Sequence, residues 1–136
     1  MIDPIDLMDA TRAAVFRRLS EQVPNSLCPV FDDVPQNTQP PFLKIGAIDT
    51  QNEESRDGQF ERLTVEIIAI YRGNNRSVLL KMMHAGRRAL DRQALNDANV
   101  NFLKTRFITA SASDASKDDG VTYAGISNYE IFAEPA

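Results

Sequence analysis

Residues 62–95 read RLTVEIIAIYRGNNRSVLLKMMHAGRRALDRQAL, and the spacing of their apolar side chains changes partway along. Over 62–71 the period is two. Leu63, Val65, Ile67, Ala69 and Tyr71 share one face of a strand. The other face begins polar with Arg62, Thr64 and Glu66 and ends apolar with Ile68 and Ile70, the pattern of a strand covered fully on one side and partly on the other. From residue 72 the period becomes helical: Leu79, Met82, Met83, Gly86 and Leu90 form a stripe, with Lys81, His84, Arg88 and Arg92 opposite. Asn75 or Ser77 is the expected cap of this helix.

The flanking sequence supplies the rest of the fold. In DPIDLMDATRAAVFRRLSEQ (3–22), Asp3 is expected as N-cap, Pro4 at the first helical position and Asp6 three residues after the cap. Spacing at 100° per residue puts Ile5, Met8, Val15, Phe16 and Leu19 on one face of this helix, which ends before Pro24. The segment 30–46, VFDDVPQNTQPPFLKIG, holds Pro35, Pro40 and Pro41, so it is neither helix nor central strand. It reads as a short strand around Val30 and Phe31, a proline-punctuated loop, and a strand over 42–48. DTQNEESRDGQ (49–59) is a polar loop whose Asp57-Gly58 pair suits a turn needing positive φ. VNFLKTRFITASASDASKDDGVTYAGISNYEIFAE (100–134) reads as two strands joined by a polar loop with an Asp119-Gly120 turn. The order α-β-β-β-α-β-β gives a single α+β domain: a mostly antiparallel sheet of four to five strands with two helices packed on one face.

Composition narrows the function classes. A chain of 136 residues fits one domain that buries roughly two-thirds of the surface its unfolded form exposes. No apolar run approaches the ~18 residues of a membrane span, and the N-terminus lacks the basic and apolar regions of a signal peptide, so maturation in a cytoplasm is expected. A single cysteine, Cys28, excludes an internal disulfide and any cysteine-based metal cluster. A net charge of −4 and a pI near 4.9 argue against a protein whose main task is to grip nucleic acid, because that affinity comes from lysine and arginine neutralising phosphates.

No catalytic constellation is legible. His84 is the one histidine, and it lies on the charged side of its helix, away from any nucleophile. Cys28, before Pro29, reads as a buried, inert thiol. Asp32-Asp33 and Asp118-Asp119 are adjacent acids, which in a strand point to opposite faces and in a loop are solvated. DASKDDG (114–120) has the alternate oxygen spacing of a calcium loop at Asp114, Ser116 and Asp118. It offers Asp119 and Gly125 where that loop requires glycine and glutamate. Phosphate-binding, dinucleotide-binding, zinc-protease and nucleophile-elbow motifs do not occur. No catalytic residue, cofactor or metal is expected.

Charge is more informative. Arg72, Arg76, Lys81, Arg87, Arg88 and Arg92 stand against the single acid Asp91 between 72 and 92, whereas Asp49, Glu53, Glu54 and Asp57 stand against Arg56 between 49 and 57. Three readings are open. The two runs are ordinary solvated surface, or a head-to-tail interface in which the helix of one copy meets the loop of the next, or the helix carries a DNA-binding face through Arg76, Lys81, Arg88 and Arg92.

The whole arrangement resembles the tail-completion, or tail-terminator, family of long-tailed bacteriophages, prophages and gene transfer agents. The likeness rests on two elements. A V-y-D-x-V-P-q pattern is matched by Val30, Asp32, Val34, Pro35 and Gln36; a D-G-x-x-y-h-g pattern is matched by Asp119, Gly120, Tyr123 and Gly125, with Ala124 where histidine is common. The resemblance implies a structural virion protein of the neck region, assembled in the host cytoplasm. It implies a ring of six copies on the head-proximal end of the tail tube, which stops tube polymerisation and meets the head connector or stopper protein. Duplex DNA would pass through the lumen without specific binding, and no membrane is involved. A head-side stopper and the tube subunit itself are the nearest alternative readings. Under the resemblance, Asp49, Glu53, Glu54, Arg56, Asp57, Asp114, Lys117, Asp118 and Asp119 are expected at ring, lumen or tube contacts, and Arg76, Lys81, Arg88 and Arg92 at the ring interface. Pro35, Pro40 and Pro41 are expected to stiffen a docking arm, since a pre-ordered segment loses less conformational entropy when it binds.

Overall fold

The computed structural model describes residues 3–53, 58–113 and 121–136. Two helices, α1 (Leu7–Gln22) and α2 (Arg76–Leu90), lie against a sheet built from β1 (Val30–Phe31), β2 (Phe42–Asn52), β3 (Glu61–Arg72), β4 (Val100–Phe102), β5 (Arg106–Ala112) and β6 (Thr122–Pro135). The strand order is β1-β2-β3-β6-β4, with β5 also paired to β6. All pairings are antiparallel except β1 with β2. The α+β class and element order read from the sequence therefore hold, with a sixth strand.

The change of period at residue 72 is what organises the molecule. In β3 the residues Leu63, Val65, Ile67 and Ala69 are buried, while their alternates are half-buried. β6 pairs with β3 along its full length and contributes Tyr129, Ile131 and Ala133 to the same face. Onto that face α2 sets Leu79, Met82, Ala89 and Leu90, and α1 sets Leu7, Ala14, Val15 and Leu19. Burying each leucine, valine or methionine side chain here contributes about 1.5–3 kcal/mol, which is what holds both helices on one side.

The start of α1, the end of β2 and the first C-terminal strand differ from the sequence reading, each for a long-range reason, and α2 ends at Leu90 rather than running on past Arg92. α1 begins at Leu7 with Asp6, not Asp3, as N-cap; the Asp6 carboxylate accepts the Asp9 N–H at 3.0 Å. Ile5 is held outside the helix by the Gln59 side chain, which bonds both its N–H (3.0 Å) and its C=O (2.9 Å). The buried face of α1 accordingly turns to Leu7, Thr11, Ala14, Val15 and Leu19, leaving Met8 38% exposed. β2 runs to Asn52, because Asp49–Asn52 pair with Glu61–Thr64; Asp49 is a strand residue rather than a loop residue. Finally, the first C-terminal strand is two strands. Between β4 and β5, Thr105 leaves β6 and exchanges backbone hydrogen bonds with Arg92 and Gln93 (2.7 and 2.8 Å).

The β2–β3 hairpin is closed by Glu53 N–H donating to Phe60 C=O at 2.8 Å. Gly58, at φ +86°, adopts the left-handed conformation expected of it. Asp57, and the Asp119-Gly120 turn, lie outside the described residues.

Candidate assembly surfaces

The outward face of α2 carries the first surface. Asn75 caps the helix by accepting the Ser77 N–H at 2.9 Å, and Arg87 and Arg88 in the last turn complement the negative end of its dipole. With the apolar stripe turned inward, Leu80, Lys81, His84 and Arg88 point out. They meet Pro24 and Leu27, beyond the end of α1, across a groove of about 640 Å³. Leu80 is 48% exposed in it. An apolar floor with a cationic rim suits a partner segment that combines an apolar side chain with carboxylates.

The structure divides the predicted basic set. Lys81 and Arg88 are brought together on this groove. Arg76 sits in the first turn with its guanidinium 5.5 Å from the centre of the Tyr123 ring. Arg92 lies beyond the helix at φ +64°, where its N–H donates to Thr105 C=O. Arg87, which periodicity does not single out, stacks 3.9 Å over Phe107 and reaches Asp91 at 3.5 Å. Asp91 in turn accepts the Phe107 N–H at 3.1 Å, fastening the end of α2 to the start of β5. The one sequence signal for this lock is Asp91 itself, the lone acid in a basic run.

The proline-rich segment is the second surface. Val30 and Phe31 pair with Leu43 and Lys44, Phe31 packs edge-on against Phe42 (5.9 Å), and Asp32 is ion-paired with Arg12 of α1. Past this anchor the chain turns back at Pro35, whose C=O accepts from both the N–H and the hydroxyl of Thr38, with Asn37 at φ +66°. Pro35 is exposed; Pro40 and Pro41, joined by a cis peptide, are half-buried. In the second patterned element, Tyr123 stacks on Tyr71 at 6.2 Å. A Cβ at Gly125 would lie 2.3 Å from the Met83 sulfur, so glycine leaves room on β6 for the Met83 side chain of α2 in this rotamer.

Of the acidic candidates, Asp49 is exposed on β2 and Glu53 is half-buried just past it. Glu54, Arg56, Asp57, Asp114, Lys117, Asp118 and Asp119 lie outside the described residues. Among the described residues no ion pair joins Asp49 or Glu53 to Lys81 or Arg88.

The buried ionisable groups are poorly suited to chemistry near neutral pH. Burial pushes the Cys28 thiol up to about 11 and the Tyr129 phenol up to about 12, so both stay protonated. His84 is exposed. Among the described residues no three His, Cys, Asp or Glu side chains converge to hold a metal, and no helix is long and apolar enough to cross a membrane.

A mostly antiparallel sheet covered on one face by two helices defines the class, a small α+β domain. Within it, the family model for tail completion protein gp17 matches residues 13–134, and the chain belongs to that family, the tail-completion proteins of bacteriophages and gene transfer agents. That makes it a structural protein of the tail. The fold is similar to that of a chain in the solved virion of a native gene transfer agent particle. The TM-score is 0.73, over 96% of this chain and 100% of that one, at 15% identity. No curated protein sequence matches the chain.

Proposed function

We propose that the protein closes into a ring, of six copies, on the head-proximal end of the tail tube, where it ends tube polymerisation and presents a surface to the head connector. The observation that carries this reading is the family match across residues 13–134, which takes in the latter part of α1, all of α2, β1 to β5 and β6 up to its last residue. The protein acts by binding, without catalysis. Within the ring, the cationic rim of Lys81 and Arg88 meets carboxylates of the neighbouring copy, and the acids from Asp49 to Asp57 and from Asp114 to Asp119 serve the lumen or the tube contact. Acidic side chains along a lumen repel phosphates and let duplex DNA pass without being held. The exposed turn at Pro35 is the tip of the docking arm.

Co-expression with the cognate tube protein tests termination. Tubes made with the wild-type protein are expected to be bounded in length and capped at one end. The Lys81→Glu/Arg88→Glu variant is expected to fold normally and to give more uncapped, overlong tubes. Tubes of unlimited length in the presence of wild-type protein would contradict the reading.

A further inference from the structure

The sheet ends in two open edges of different kinds. On β5, Ser113 N–H donates to Ala124 C=O, so by the two-residue period Thr109 and Ser111 turn their backbone toward β6 and Ala110 and Ala112 turn theirs away. On β2, Glu53 N–H donates to Phe60 C=O, so Ile48, Thr50 and Asn52 turn their backbone away from β3. β1 covers β2 only at Leu43 and Lys44. Among the described residues, none of these outward N–H and C=O groups on β2 or β5 has a hydrogen-bond partner.

Edges left like this are templates for another strand, and isolated domains usually blunt them with lysine or proline. β5, RFITASA, has neither. Its one irregularity is a bulge between Phe107 and Thr109, and the groups beyond the bulge are the open ones. The side chains there are small, Ile108 is 42% exposed, and Ile126 on the adjoining β6 is 37% exposed. The outward N–H of Phe107, by contrast, is already taken by Asp91.

Strand direction selects the partner. Three antiparallel steps separate β2 from β5, through β3 and β6, so β2 and β5 run in opposite directions. A rotation about an axis along the strands preserves those directions and sets β5 of one copy antiparallel to β2 of the next. That is a heterologous contact of the kind that closes rings. The edges set no like charges against each other: Asp49 is exposed on β2, and on β5 Arg106 is exposed and 4.0 Å from Glu130 of β6.

From this geometry we infer that β5 of one copy pairs antiparallel with the Ile48–Asn52 edge of β2 in a second copy, so that the sheet continues from subunit to subunit. The inference rests on the ring reading and adds which edges meet. Proline at position 110 is the discriminating substitution, because the Ala110 N–H points away from β6 and its loss removes no bond within the sheet. Wild-type protein and Ala110→Pro are compared by native mass spectrometry across concentration, with thermal unfolding as the check on folding. Peptide-level hydrogen exchange over 107–113 and 48–52 is measured in ring and monomer fractions of the wild type.

The expected result is slowed exchange in both segments on ring formation, and half-assembly of the variant at a concentration at least about tenfold higher than wild type. Rings whose two segments exchange as fast as in the monomer overturn the edge pairing and leave the ring reading standing. A two-copy species protected at β5 but not at β2 overturns it in favour of β5 meeting itself. A wild-type protein that stays monomeric at every concentration overturns the ring reading, and this inference with it.

Discussion

Gly86 is a position where neither packing nor backbone conformation requires glycine. It sits in mid-helix, where glycine is disfavoured by about 1 kcal/mol relative to alanine. A Cβ there would meet Leu43 at 3.9 Å and Leu19 at 4.0 Å, ordinary van der Waals contact. Gly86→Ala is therefore expected to raise the unfolding free energy by about 0.5–1 kcal/mol in urea denaturation. A loss of stability would mean that α1 and α2 are packed more tightly than this geometry gives. Single residues also mark where sequence reasoning stopped. That Lys81 and Arg88 share a face follows from the helical period. That Arg76 lies over Tyr123 and Arg87 over Phe107 does not, because each partner comes from a strand far along the chain.

Among the elements, those defined by their own periodicity were legible and those defined by a partner were not. β3 and α2 carry periods of two and 3.6; β3 appears as read, and α2 does as far as Leu90, ending before Arg92. The start of α1 depends on Gln59, the length of β2 on its pairing with β3, and the division of β4 from β5 on the backbone of Arg92 and Gln93. None of these leaves a local trace. The proline-rich arm falls between: its prolines announce an irregular segment, but its anchoring by Arg12 and Asp32 is tertiary. Because Pro35 is exposed and opens the turn, Pro35→Ala is expected to cost the isolated fold no more than about 1 kcal/mol, through the entropy of the unfolded chain. It is expected to weaken assembly by more than that, as measured by sedimentation equilibrium beside thermal unfolding. Unchanged assembly would make the arm a packing element of its own subunit.

For the molecule as a whole, the helices occupy one face of the sheet, the basic groove lies on their outer side, and the two open strand edges face in opposite directions. A body with unlike, complementary edges satisfies both in a closed ring or in an open filament. The direct test is native mass spectrometry with negative-stain imaging of the purified protein over a wide concentration range. A closed six-membered ring, with a lumen wide enough for duplex DNA, is the expected result. A strict monomer at all concentrations that stays unassembled when tube ends are supplied would contradict it.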